Sequence, residues 1–262
     1  NLLSATVGIA LAAPATLALL AGKVFAPLQT HRLLQQFNQR INPDQRETSI
    51  TLTASEPTQP TPECRQVGFT DQEQFDRVFP FMQNLGLLHG FAPIVVIAGH
   101  GSISQNNPHL SAYDCGACSG RHSGPNARIF ASIMNRTEIR TLLAEKGVNI
   151  PQDCWFLGME HNTADESLTW YDLEQLPESL RPQLKQLQQQ LAEAQQRHAQ
   201  ERCRRLASAP AQPTLAQALN HIQGRTVDFS QARPELGHAT NASAIIGRRS
   251  LSRGTFLDRR TF

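Results

Sequence analysis

The sequence lacks an excess of charge of either sign. Its 262 residues contain 24 Lys and Arg against 22 Asp and Glu, for a formal net charge of +2. Aromatic residues are also few, at 6%, and no basic stripe is interleaved with them. A nucleic-acid-binding face is marked by such a stripe, so we expect no nucleic-acid partner.

Cysteine is scarce as well. The chain has five cysteines, an odd number without the regular spacing of a disulfide framework. This usage argues against a disulfide-stapled secreted domain. It indicates a reducing compartment, in which clustered cysteines more often bind metal than form disulfides.

No charged residue occurs before Lys23. The apolar stretch at residues 2–20 therefore has no basic region in front of it, which a secretory signal peptide requires. A membrane span needs about 20 apolar residues, so the length is borderline, and Pro14 weakens the pattern further. We expect a buried or interfacial helix pair, with a membrane span as the alternative. Both termini are abrupt, and we expect the chain to be a piece of a longer protein.

The middle of the chain has the pattern of an α/β fold. Thr70 followed by Glu73 is a capping box, which predicts a helix that ends near Gly86. The run "IVVIAG" at 94–99 is β-branched and apolar on both faces, as a buried parallel strand is. In open α/β sheets, functional sites lie outside the carboxyl ends of the strands, so the residues after this strand are the first candidates.

Further elements follow along the chain. Residues 126–147 predict a helix with a break near Asn135, and residues 153–163 predict a second strand. A leucine stripe predicts a long amphipathic helix over about 180–206. We divide the chain into five segments: an apolar helical segment at 1–28, a helix and linker at 29–62, an α/β half-domain that carries the candidate site at 63–170, the long helix at 171–207, and an irregular or α/β segment at 208–262.

His100 stands at the end of the first predicted strand, between Gly99 and Gly101. Cys115 follows fifteen positions later (115 − 100). Imidazole and thiolate are both zinc ligands, the intervening loop is long enough to fold back, and the glycines allow a close approach of the backbone. The alternative for His100 is a hydrogen-bonded structural histidine. Cys115 and Cys118 form a C-x-x-C pair, which is also compatible with a structural zinc site. A redox C-x-x-C pair usually opens a helix directly after a strand. Here the pair lies within a long polar loop, which argues against a redox role.

Polar residues surround this candidate metal site in the sequence. They either form hydrogen bonds around a charged centre or are ordinary turn and cap residues. Arg128 would suit an anion such as bicarbonate, because a guanidinium binds carboxylate-like groups in a bidentate manner. The candidates around the metal or the substrate are Asn106, Asn107, His109, Asp114, Cys118, Asn126 and Arg128.

Five blocks of the sequence together resemble one family. They are "GHGS", "NNPHLSAYDCGACSG", "NARIFASIMN", "WFLGMEHNT" and "ARPELGHATNASAIIGRRS", and they cover roughly 94–262. In this content and order they resemble the DabA family, large bacterial subunits of an energy-coupled inorganic carbon pump.

The resemblance implies a fold and a metal site. The expected fold is α/β, a β-carbonic-anhydrase-like sheet with flanking helices, plus a long amphipathic helix and irregular segments. The family's zinc is held by two cysteines, an aspartate and a histidine, and His100 and Cys115 match the histidine and one cysteine. The other cysteine and the aspartate belong to a C-x-D-x-R motif farther upstream, and no C-x-D occurs in these 262 residues. The resemblance therefore implies a C-terminal fragment that carries half of the site.

The resemblance also implies a function. The expected reaction is hydration of carbon dioxide to bicarbonate at zinc, coupled to a DabB-like membrane subunit that resembles the ion-translocating subunits of respiratory complex I. The expected location is peripheral, on the cytoplasmic face of the bacterial inner membrane. Two alternatives stay open: a structural zinc or scaffold module that uses Cys115 and Cys118, and a stand-alone carbonic anhydrase.

Overall fold

The computed structural model describes residues 2–41, 48–53, 67–103, 121–231, 234, 243 and 245–255, with side chains from residue 12 onward. These ranges contain seven α-helices and three β-strands in a mixed α/β arrangement. In chain order they are α1 Leu2–Phe25, α2 Pro27–Ile41, α3 Asp71–Leu85, β1 Ile94–Gly101, α4 Gly124–Met134, α5 Thr137–Glu145, β2 Trp155–Asn162, β3 Leu168–Trp170, α6 Arg181–Cys203 and α7 Leu215–Val227.

The start of α3 is set by local sequence, as predicted. The Thr70 hydroxyl accepts a hydrogen bond from the Glu73 N–H at 3.2 Å, and the Glu73 carboxylate accepts one from the Thr70 N–H at 2.8 Å. This reciprocal pairing satisfies two backbone donors that a helix start leaves open. The helix ends at Gly86, whose φ of 70° is the left-handed conformation that glycine adopts without strain.

The sheet has the strand order β1-β2-β3. Strands β1 and β2 pair in parallel, in a register that places Ile94 beside Trp155 and His100 beside His161. Strand β3 runs antiparallel to β2. The two predicted strands are therefore both present, and their carboxyl ends lie at the same edge of the sheet. The prediction that β1 is buried on both faces is wrong, since residues 94–97 are half-buried and Ala98 is exposed.

The predicted helix break at Asn135 is confirmed. The Asn135 amide donates to the Phe156 carbonyl at 2.8 Å, and its oxygen accepts from the Phe156 N–H at 2.9 Å. The side chain thus pairs with the backbone of β2 as a neighbouring strand would, and satisfies polar groups that would otherwise be buried without partners. This pairing attaches the junction of α4 and α5 to β2.

The two faces of the sheet bury different helices, because successive side chains of a strand point to opposite faces. Phe156 packs with apolar side chains of α3, α4 and α5, among them Met82 and Leu143. Leu157, one position later, packs on the other face with Leu184 at the start of α6. A third, smaller cluster joins α6 to α7 through Ala199, Cys203, Ala218 and Ile222.

The two N-terminal helices form a pair whose apolar side chains lie at the surface. Leu17 of α1 is 65% exposed and Phe25 is 86% exposed, and α2 has no buried residue. Arg32 of α2 donates to Asn220 and Gln223 of α7, at 2.9 and 3.0 Å. Within the part of the chain described with its side chains, no helix combines the length and apolar character needed to cross a membrane.

Candidate functional site

The carboxyl edge of β1 holds His100, and the main chain of this residue is tied to the start of α4. The Ser123 hydroxyl accepts from the His100 N–H at 2.6 Å, and the His100 carbonyl accepts from the Ser123 hydroxyl at 3.1 Å and from the Ser123 N–H at 2.8 Å. No described residue hydrogen-bonds to the His100 imidazole. The backbone is therefore held in place while the ring keeps both nitrogens for other partners.

Two glycines make this close packing possible. A Cβ on Gly99 would lie 2.6 Å from the Ser123 carbonyl carbon, and a Cβ on Gly101 would lie 2.8 Å from a Glu160 carboxylate oxygen. Both distances are shorter than real Cβ contacts allow. The glycines on either side of His100 thus admit the start of α4 and the side chain of Glu160.

Most of the predicted polar residues around the metal lie outside the described residues. This group comprises Asn106, Asn107, His109, Asp114, Cys115 and Cys118. The pairing of His100 with Cys115 therefore stays a prediction. Within the described ranges, no group of three or more His, Cys, Asp or Glu side chains is arranged to hold a metal ion.

Arg128 and Asn126 lie on α4. Asn126 is exposed, whereas the Arg128 guanidinium forms a two-pronged pair with Asp172, at 2.8 and 2.5 Å. The same guanidinium also donates to the hydroxyl and the carbonyl of Thr48, at 2.5 and 2.7 Å. The hydrogen-bonded Asp172 carboxylate raises the pKa of Arg128 above its ordinary value. The predicted role of Arg128 toward an anionic substrate is untested, and in this structure Asp172 takes the position that such an anion would occupy.

A carboxylate that the sequence did not single out lies at the same edge of the sheet, on the face opposite the His100 side chain. Glu160 of β2 is only 7% exposed. One of its oxygens, Oε2, accepts from His122 Nδ1 at 2.6 Å and from the Gly124 N–H at 3.1 Å, and lies 3.5 Å from the Tyr171 hydroxyl. Burial and the Glu160 carboxylate raise the pKa of the Tyr171 phenol. A signal was available, because a charged residue inside a buried strand requires partners, but the sequence did not say which.

A second buried carboxylate lies beyond the end of β2. Glu166 is 2% exposed and accepts from His161 Nε2 at 2.9 Å, from His198 Nδ1 at 2.6 Å and from Arg202. Burial alone would raise the pKa of Glu166, but the two histidine hydrogen bonds and the Arg202 charge outweigh it and hold the pKa well below its usual range. The cluster joins β2 to α6.

Glu166 also has an unusual backbone. Its φ is 69°, a left-handed conformation that costs a non-glycine residue free energy and persists only where the surroundings enforce it. The Gln195 side chain donates to the Glu166 carbonyl. The leucine stripe of α6 did not indicate this cluster, because its members come from three parts of the chain: His161 lies in β2, Glu166 follows β2, and His198 and Arg202 lie on α6.

Comparison with known proteins places the chain in a family. The family model for "Probable inorganic carbon transporter subunit DabA" matches residues 1–262. Proteins of that name from Nitrosococcus oceani and Methylococcus capsulatus are 52% and 53% identical over all of the chain, which covers 23% and 24% of their length. One from Dechloromonas aromatica is 55% identical over 88% of the chain and 22% of its own length. No solved structure matches. The chain spans about a quarter of the length of these curated relatives, and it belongs to the DabA family.

Proposed function

We propose that this chain supplies half of a zinc site at which carbon dioxide is hydrated to bicarbonate, within a larger inorganic carbon transporter subunit. The observation that carries the proposal is the His100 imidazole. It lies at the carboxyl edge of a parallel strand pair, where α/β proteins place their sites, and no described residue hydrogen-bonds to it. The names of the relatives, which describe an inorganic carbon transporter subunit, support the substrate class.

The available donors suit zinc. His100 would contribute an imidazole nitrogen and Cys115 a thiolate, two of the ligand types that zinc prefers in tetrahedral sites. Zinc, when bound, lowers the pKa of a water molecule to about 7 and so supplies hydroxide near neutral pH. The missing donors, a cysteine and an aspartate, would come from the remainder of the protein, since the chain covers only 23% of a full-length relative.

The residues of this chain would position the reaction. The hydrogen bonds between Ser123 and the His100 main chain fix the position of the His100 backbone. This limits the positions that the imidazole ring can reach. We further propose that β1 and β2, with α3 to α5 on one face and α6 on the other, are this chain's share of a β-carbonic-anhydrase-like sheet. The parallel pairing of β1 with β2 supports that proposal.

We also propose that the complete subunit works on the cytoplasmic face of the inner membrane with a DabB-like partner that translocates cations. Transport by one subunit of a larger assembly requires a membrane component, and the relatives are named as subunits. Copurification of the full-length protein with a membrane subunit, and loss of carbon dioxide hydration when the cation gradient is collapsed, are the expected results. Rapid, gradient-independent hydration by the isolated subunit would favour a stand-alone carbonic anhydrase instead.

The zinc assignment is tested by metal analysis of the full-length protein in complex with its partner. His100→Ala and Cys115→Ala are each expected to lose zinc and hydration activity, whereas Cys118→Ser keeps both. The exposed His89 provides a matched control, and His89→Ala should retain zinc. Unchanged zinc in both His100→Ala and Cys115→Ala would refute the ligand assignment. Loss of zinc in Cys115→Ala and Cys118→Ser, with His100→Ala unaffected, would support the structural zinc module.

A further inference from the structure

We infer that the two N-terminal helices, α1 and α2, form a surface that lies on an anionic lipid bilayer. This inference rests on the proposed work of the subunit at a membrane, and it names the part of the chain that contacts the lipid. Three observations carry it: the direction in which α2 presents its apolar side chains, the exposed apolar side of α1, and the sign of the charges on both helices.

The polar side of α2 faces the rest of the chain. Arg32 donates to Asn220 and Gln223 of α7, at 2.9 and 3.0 Å. Leu28, one turn earlier, lies on the same side of the helix, with its Cβ 3.9 Å from the position that a Cβ on Gly224 of α7 would take. These contacts fix the rotation of α2 about its own axis.

The apolar side chains of α2 therefore point outward. Leu33, Phe37 and Ile41 are spaced four residues apart and lie about 100–180° around the helix from Arg32. Their exposed fractions are 67%, 63% and 58%. A surface helix ordinarily turns its apolar stripe toward the protein core, so the opposite orientation indicates an apolar partner outside this chain.

The preceding helix continues this exposed apolar character. Leu17, Leu20 and Val24 of α1 are 65%, 53% and 49% exposed, and their spacing of three and four places them on one side of the helix. A Cβ on Gly22 would lie 2.6 Å from the Thr30 hydroxyl oxygen, so α1 and α2 approach each other closely where they meet. Both helices thus present apolar side chains to the outside.

The charges on this helix pair are all positive. Residues 1–43 contain no Asp or Glu. Lys23 and Arg40 are exposed, and each follows an exposed apolar residue, Leu20 or Phe37, by three positions, which places it on the same side of its helix. Such side chains can lay their apolar stems along the stripe while the charged ends reach lipid phosphates. An apolar side bordered by Lys and Arg is typical of helices that lie in the membrane interface.

The main competing occupant is the rest of the subunit, because the chain covers only 23% of the length of a relative. A protein surface of mixed charge does not explain why acidic residues are missing from all of residues 1–43. An anionic bilayer does, since it attracts each basic side chain near it and repels each acidic one. The relatives are also named as transporter subunits, and transport takes place at a membrane.

Photocrosslinking in the complete transporter identifies the occupant directly. The photoreactive residue p-benzoylphenylalanine takes the place of Phe37, and mass spectrometry after irradiation of native membranes reports what it has bonded to. We expect phospholipid adducts at Phe37 and none at Leu85, an exposed apolar position on α3. An absence of lipid adducts at Phe37 would overturn the inference, and crosslinks to the same subunit, to the membrane subunit or to a second copy would name the other occupant.

Vesicle binding by the full-length subunit without its partner measures the contribution of each residue. The vesicles contain phosphatidylglycerol and phosphatidylethanolamine. Phe37→Gln and Ile41→Gln should each weaken binding about tenfold or more, through lost apolar burial. Lys23→Gln and Arg40→Gln should each weaken it about fivefold. Leu85→Gln is the matched control, since Leu85 and Ile41 are both 58% exposed, and it should bind as the parent does.

The zinc content of the same samples separates this inference from the proposed function. All five variants are expected to keep the zinc of the parent. A parent protein that holds zinc but does not bind the vesicles, or a control that weakens binding as much as Ile41→Gln, would overturn the lipid surface alone. A parent that binds the vesicles but holds no zinc would overturn the proposed reaction and leave the lipid surface standing.

Discussion

His100 and His161 lie side by side as register partners in the parallel strands β1 and β2. Their side chains emerge on the same face of the sheet, because paired residues of neighbouring strands share a face. His161 is bonded to the buried Glu166 at 2.9 Å, whereas the His100 ring has no hydrogen-bond partner among the described residues. The proposed metal ligand therefore stands next to a charge cluster that joins β2 to α6.

The first prediction concerns this cluster. Glu166→Gln removes the negative charge that Arg202 faces in a site where both side chains are 2% exposed. Removing one partner of a buried ion pair costs about 3–5 kcal/mol, so we expect a clear fall in melting temperature and faster hydrogen exchange in α6. Glu193→Gln, which breaks an exposed pair with Arg197 on the same helix, should cost less than about 1 kcal/mol. Equal effects of the two substitutions would contradict the prediction.

The second prediction is a pH dependence of stability. The folded-state pKa of Glu166 is lowered, so the carboxylate contributes stability that is fully present above its unfolded pKa of about 4.3 and is lost as the pH falls through the lower, folded pKa. We expect the melting temperature to decline with acidification below about pH 5. The decline should be shallower in Glu166→Gln, which has no such group. Identical pH profiles of the two proteins would show that Glu166 does not contribute.

The third prediction tests the close approach at the sheet edge. Gly99→Ala places a methyl group 2.6 Å from the backbone of Ser123, which cannot move without displacing α4. We expect lower stability and loss of zinc. Gly224→Ala is the matched control, because its methyl group would meet only Leu28, at 3.9 Å, and a helix-interior alanine gains about 0.5–1 kcal/mol over glycine. A Gly99→Ala variant as stable as the parent would rule out the packing described for this edge.

The fourth prediction separates two roles of Arg128. A lysine cannot reproduce its two-pronged pairing with Asp172, so Arg128→Lys and Asp172→Asn should each destabilise the protein. In a double-mutant cycle, their combined effect should fall short of the sum by about 0.5–3 kcal/mol. Hydrogen exchange at residues 48–53 should rise in Arg128→Lys, because the Thr48 contacts are also lost. Weaker bicarbonate affinity at unchanged stability would instead support the anion-binding role that the sequence indicated.

Local patterns predicted much of the secondary structure. The capping box at Thr70 and Glu73, the strand β1 and the helix break at Asn135 are all encoded within a few neighbouring residues. Helix caps and hydrophobic periodicity act over one or two turns or along one strand, so a single sequence is sufficient to predict them. The motif blocks likewise predicted the family, which the comparison confirmed.

Long-range pairings were not predictable in the same way. His122 and Glu160 are 38 positions apart, and Glu166 and His198 are 32 apart. Neither pair has a spacing that a helix or a strand imposes. Helix α4 packs on one face of β2 and α6 on the other. This arrangement places the Glu160 carboxylate against His122, and it encloses the Glu166 carboxylate between His161, His198 and Arg202. These placements arise from the packing of whole layers, since burying a charge is tolerated only where folding brings it a partner.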